Sequence, residues 1–209
     1  MNIYFSPHPD DAILSCGGTM LKTKKKQLVV NVFCGDYLQP TAWDQLCEIE
    51  GSPMRERVSE DRKILNELGV DVVYLDFLDS AAIGKKRRDI FSIEKQILKI
   101  VDSYQGDFFF PLGVGHPDHL TLKKIGGKVE GAKYYADIPY VFDKKLREPD
   151  IKTDISRYID RKIDLVFKYK TQLKALLHLI GMGEESKLKK RIKDYHFEDG
   201  AYYENFYLE

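Results

Sequence analysis

The chain has 209 residues, enough for one sizeable core with a small appendage. Thirty-three basic residues balance 33 acidic ones, so overall charge gives no ground for a nucleic-acid or anionic-membrane partner. No apolar stretch is long enough to span a bilayer. The opening residues MNIYFSPH lack a basic region and a cleavage signal, and three cysteines (Cys16, Cys34, Cys47) lack any Cys-x-x-Cys spacing; this predicts a cytoplasmic protein with incidental thiols and no cysteine-ligated zinc.

In chain order, NIYFS reads as a first strand and AILSCGGTMLKTKKK as a helix packing through Ile13, Leu14 and Leu21. QLVVNVFCGD is a buried strand, rich in β-branched and aromatic residues. Residues 36–54 lack a period and contain Pro40, Gly51 and Pro53, so a long loop is expected, of the kind that usually carries function or moves. RERVSEDRKILNELG is a helix ending at Gly69, and VDVVYLDF a third strand. LDSAAIGKKRRD is a second loop, IFSIEKQILKIVDSYQG a helix, and DFFFPLGVG a fourth strand. HPDHLTLKKIGGKV opens a helix, AKYYADIPYVF holds a short strand, and the remainder reads as largely helical up to an aromatic tail.

This alternation predicts an α/β fold: a three-layer arrangement of βαβ units with a mostly parallel sheet and helices on both faces. Such sheets bind ligands beyond the carboxyl ends of their strands. No Gly-x-Gly-x-x-Gly follows the first strand, so a dinucleotide site is poorly supported. The expected organisation is one domain over 1–209, with a helical segment at about 151–209 packed on it or on a neighbouring chain. The basic runs KTKKK, GKKRRD and SKLKKRIKD read as solvated loops and helix ends.

Three of the five histidines fall in two related motifs, PHPDD (His8, Asp10, Asp11) and GHPDH (His116, Asp118, His119), each directly after an apolar strand. Adjacent carboxylates at a strand end need a cationic partner: a metal, a basic side chain or bulk water. Either motif alone also fits a turn with a capping aspartate and a proline at the helix start. Both together, emerging at one sheet edge, favour a catalytic divalent metal held by His8, Asp11 and His119, with a position left for water. Asp10 then serves as the base, His116, if protonated, as oxyanion stabiliser and proton donor, and Asp118 orients a histidine through its second nitrogen. His178 and His196 read as packing or surface residues.

SPHPDDAILSCGG and GVGHPDH resemble the PIG-L/LmbE-like family of metal-dependent de-N-acetylases, and weaker likenesses continue in RVSEDRKILNELGVDVVYLDFLD, YYADIPY, YKTQLKAL and GAYYENF. The resemblance implies a Rossmann-like fold and hydrolysis of an N-acetyl group on an N-acetylglucosamine-type amino sugar or its conjugate. It implies Zn2+, with Fe2+ or another divalent ion as the alternative, on His8, Asp11 and His119. Asp10 matches the base and His116 the residue that stabilises the tetrahedral intermediate; Arg57 and Asp79 match substrate contacts. Much of the family has glutamate where this chain has Ala12. The histidine and both aspartates are kept, so catalysis is expected to survive, with substrate preference open.

Loops 36–54 and 79–90 are expected to border the cleft. Trp43, the only tryptophan, either stacks on a sugar ring or anchors its loop to the core. Arg55 reads as a surface charge, and GKKRR as solvated loop or a phosphate contact. Hydrolysis of another amide or an ester, and a non-catalytic sugar-binding role, are the alternatives. The oligomeric state is left open.

Overall fold

A computed structural model describes every residue except 38, 50, 51, 85–87 and 182. The first half alternates as expected: β1 (Asn2–Ser6), α1 (Asp11–Lys22), β2 (Gln27–Asn31), α3 (Pro53–Glu67), β3 (Asp71–Tyr74), α5 (Ile90–Ser103), β4 (Asp107–Pro111), α6 (Pro117–Gly126) and β5 (Lys133–Tyr135). The two long loops contain short helices that lack the apolar period a sequence reading needs: α2 (Ala42–Leu46) and α4 (Ser80–Ile83).

The sheet order is β3-β2-β1-β4-β5, all parallel, continued beyond β5 by β8 (Ala201–Leu208) and then β6 (Ile151–Asp154). All five residues of β1 and of β2 are buried, as expected of parallel strands covered on both faces. The chain winds outward from β1 through β2 to β3, then returns to place β4 on the other side of β1. The β1/β4 boundary is therefore the point where the strand order reverses, the usual location of a ligand site in such sheets.

The C-terminal part departs from the expected run of helices. Helices α7 (Ile159–Val166), α8 (Lys170–Leu179) and α9 (Glu185–His196) are present, but so are strands β6 (Ile151–Asp154), β7 (Phe197–Glu198) and β8 (Ala201–Leu208). The aromatic tail is β8, antiparallel to both β5 and β6. β7 pairs with it locally, but β5 and β6 lie far away in sequence, so no local pattern announces its place in the sheet.

Helix α7 packs on α1, and α8 on α2 and α3. Gly17 and Gly18 make that close packing possible: a Cβ on Gly18 would come within 2.7 Å of Ile155. Beneath α1 the buried Glu204 carboxylate accepts from the Gly18 and Thr19 amides at 2.8 and 2.7 Å and pairs with buried Lys162 at 2.7 Å. This charge pair ties β8 and α7 to the helix that opens at the first motif. Cys16, Cys34 and Cys47 are unpaired thiols.

Candidate functional site

The two motifs leave the sheet on neighbouring strands. PHPDD follows β1 and GHPDH follows β4, which are paired in parallel register with Tyr4 opposite Phe109. The imidazoles of His8, His116 and His119 consequently meet, with ring centroids 5.0 to 5.6 Å apart and ligand atoms within 4.8 Å of one another.

Around the first motif, Ser6 Oγ donates to the His8 carbonyl at 2.8 Å and accepts from the Ala12 amide at 3.1 Å, which folds the turn. Asp11 begins α1, and its Oδ2 accepts the His8 amide at 3.0 Å. That same oxygen lies 3.0 Å from His8 Nδ1 and 3.2 Å from His119 Nε2. Asp10 occupies the helix N-cap at φ 115°, a region that costs a non-glycine residue of order 1–3 kcal/mol. Ala12 is buried in the core.

Around the second motif, His116 is itself the N-cap of α6, and its Nδ1 accepts the Asp118 amide at 3.2 Å. Its proton therefore sits on Nε2. His119 is fully buried, and its Nδ1 faces Asp137 Oδ1 at 2.8 Å. Asp137 also accepts the Val114 amide at 2.8 Å. Sequence reasoning missed this residue, although it lies within the YYADIPY segment. Asp118 turns to His8: its Oδ2 lies 2.9 Å from His8 Nε2.

The electrostatics describe a centre that attracts positive charge. Burial pulls His119 down, but Asp11 and Asp137 outweigh it and lift the imidazole to about 9. Burial likewise opposes protonation of His8, and Asp11 and Asp118 again prevail, raising it. Asp11 shows the same balance in mirror image: burial works against its charge, yet His119 and His8 hold its carboxyl far below the usual range. Asp10 goes the other way, pushed up by burial and then by the neighbouring Asp11 charge. Burial and two nearby imidazolium charges lower His116 to about 4, so its ring is neutral near pH 7.

These residues fit a divalent cation. His119 Nε2 is buried and lacks a hydrogen-bond partner. A shared ion with bonds of roughly 2 Å sets its donors about 3–4 Å apart, and Asp11 Oδ2 is already at such distances from His8 Nδ1 and His119 Nε2.

A cleft of about 260 Å³ opens over this centre, lined on its polar side by His8, Asp10, Asp11, Asp79 and His116. Asp79 caps α4, accepting the Ala82 amide at 2.6 Å. Arg57 lines the cleft but is committed to partners: it pairs with buried Asp44 and donates to Tyr37 Oη at 3.2 Å. It thus anchors the 36–47 segment. Trp43 anchors its loop, its Nε1 donating to Gln172 Oε1 at 2.6 Å, and it also lines the cleft. Gln172, on α8, also donates to the Pro9 carbonyl at 3.2 Å. Leu176 and Leu179 of α8, with Tyr140, complete the apolar wall. None of these four was foreseen; three of them belong to the C-terminal segment, which only tertiary packing brings over the first motif. Arg55 is exposed and pairs with Asp36 at 2.8 Å. Of the GKKRR run, residues 85–87, and with them the suggested phosphate contact, lie outside the described residues.

A family model described as GlcNAc-PI de-N-acetylase, PIG-L, matches residues 3–129. A 2'-N-acetylparomamine deacetylase from Niallia circulans is 26% identical over 238 residues, covering 90% of this chain and 84% of that protein. Among solved structures, the zinc-inhibited form of teicoplanin deacetylase superposes with a TM-score of 0.80 at 21% identity, covering 98% of this chain and 96% of that one. The N,N'-diacetylchitobiose deacetylase from Pyrococcus horikoshii superposes at 0.69 with 17% identity, over 98% and 82%. These structural likenesses establish the α/β fold, and the three relatives are named as deacetylases, of 2'-N-acetylparomamine, teicoplanin and N,N'-diacetylchitobiose.

Proposed function

The chain belongs to the PIG-L family, and we propose that it is a metal-dependent hydrolase removing an N-acetyl group from an N-acetylglucosamine-type amino sugar or its conjugate. One observation carries the reading: Asp11 Oδ2 sits between His8 Nδ1 and His119 Nε2 at 3.0 and 3.2 Å, at the base of a cleft flanked by Asp10 and His116.

His8, Asp11 and His119 would hold the ion, with His116 beside them. Zn2+ suits two imidazoles and a carboxylate, and Fe2+ suits the same donors. When bound, the cation polarises the amide carbonyl and lowers the pKa of water. The remaining work falls to the protein. Asp10, with its raised pKa and near-complete burial, takes a proton from the attacking water and returns it to the departing amine. Burial favours the neutral ring of His116, and the Asp118 amide held on its Nδ1 leaves an Nε2–H to stabilise the oxyanion. Asp137 fixes the His119 ring and Asp118 the His8 ring through their other nitrogens.

Asp79 and the Trp43 face offer a polar and an aromatic contact to a sugar within the cleft. Arg57 acts on substrate indirectly, by holding the loop that carries Trp43. We read 1–209 as one unit, because β8 lies inside the sheet and one core runs through both halves. Among the described residues no helix is long and apolar enough to cross a membrane.

The test is acetate release across N-acetylglucosamine, diacetylchitobiose, an N-acetylated aminoglycoside, a simple acetamide and a chromogenic acetate ester, with D10N as control. Release from an amino sugar that depends on both Asp10 and added divalent metal is expected. Hydrolysis confined to the acetamide or to chromogenic esters overturns the substrate class, and no hydrolysis of any member overturns the enzyme reading.

A further inference from the structure

The basic run GKKRRD reads from sequence as a solvated loop, yet its last arginine faces inward. Arg88 forms an ion pair through Nη1 with Asp118 Oδ1. Its Nη2 donates to the Leu78 carbonyl at 3.4 Å, and its guanidinium carbon lies 4.4 Å from the centre of the Phe33 ring. The side chain is only 13% exposed. Asp118 is completely buried. Its other oxygen, Oδ2, accepts the Ser80 amide at 3.0 Å and faces His8 Nε2 at 2.9 Å.

We propose that Arg88 is a positioning residue for the cation site, acting through Asp118 on His8. A carboxylate with no solvent contact keeps its charge only if a cation or several donors meet it. Arg88 is the guanidinium that does so here, on the oxygen the histidine does not use. Asp118 then stays an acceptor toward His8 Nε2–H, which fixes the tautomer and leaves the Nδ1 lone pair directed at Asp11. The same chain of contacts joins two parts of the site. Ser80 follows Asp79 on the cleft wall and Arg88 lies further along the chain, while His8 lines the cleft floor with the buried Asp118 carboxylate behind it. The wall and the floor therefore share one buried carboxylate.

This inference rests on the cation site proposed above, and its test separates the two. Zn2+ affinity is measured by competition with a chromophoric chelator for wild type, R88Q, D118N and the double variant. The tautomer of His8 is read in parallel from imidazole ¹⁵N shifts, and folding from thermal melts. R88Q is expected to weaken Zn2+ binding roughly tenfold to a hundredfold and to shift His8 away from the Nε2–H tautomer. In the D118N background the same substitution is expected to change affinity less than about twofold, because the route it acts through is gone. R88K keeps the charge without the planar fork, and is expected to restore part of the lost affinity. Should R88Q fail to fold, R88K carries the cycle, with about a threefold loss expected in the wild-type background and none with D118N. Equal losses in both backgrounds overturn the proposal, as does wild-type affinity with an unchanged His8 tautomer in the folded variant. Wild type that takes up no Zn2+ overturns the cation site itself.

Discussion

The tripeptide His-Pro-Asp occurs twice at the same sheet edge and is used in two different ways. In the first motif the histidine lies in the turn, Asp10 is the N-cap and Asp11 the first helical residue. In the second the histidine is the N-cap and its helix starts one residue later. That shift against the helix start decides which groups converge. Both motifs place a pair three residues apart on one side of a turn, but the pair is His8 with Asp11 in one case and His116 with His119 in the other. The backbone differs as well. The second motif meets its left-handed requirement with glycine, Gly115 at φ 78°, whereas the first puts an aspartate at φ 115°. Unfavourable geometry at the proposed base, relaxed geometry before the proposed oxyanion donor: the first motif bears a conformational cost that the second avoids.

The sharpest way to break this contrast is to remove the second motif's histidine that faces Asp11 of the first. H119A is expected to lose the metal and bring turnover near the uncatalysed background, measured by metal analysis and acetate release. Metal retained at wild-type stoichiometry would reassign the ligand to His116. Next comes the strained residue. D10G is expected to lower kcat by roughly 10²–10⁴ with metal retained. In the same protein it is expected to raise stability by about 1 kcal/mol, by relieving the backbone and a buried carboxylate pressed against Asp11. A denaturant melt that shows D10G less stable than wild type would remove the argument from strain.

On the second motif, H116A is expected to cost roughly 10²–10³ in kcat with metal kept, the loss typical of one oxyanion donor. A kcat within a few-fold of wild type would leave His116 without the role given to it. The smallest effect is expected at the glycine. G115A meets both a left-handed φ and the Tyr140 ring, whose nearest atoms would lie 3.1 Å from the new Cβ. It should cost about 1–2 kcal/mol of stability and change kcat only modestly, which thermal melts and kinetics at saturating substrate would check. A larger effect on kcat than that of H116A would mean that the loop, not the imidazole, sets the rate.

Sequence by itself determined the alternation of strands and helices through β5, because the period of apolar residues is a local signal. It also placed both motifs after strands, and chain topology then carries strand ends to one edge. The charge-bearing residues named from the motifs do line or adjoin one cleft, since their spacing is set within single turns. What only the tertiary structure decided was pairing over distance. The aromatic tail became an antiparallel strand because β5 and β6 offered free edges. Arg88 left an apparently solvated run because a buried carboxylate 30 residues away required a counter-charge. Asp137 took up the ring of His119, and Gln172 spanned Trp43 and the Pro9 carbonyl, because the folded chain closes a C-terminal helix over the first motif. Local patterns report how a segment prefers to fold; which distant group satisfies a buried charge or donor is settled only when the segments pack, where leaving that group without a partner is expensive.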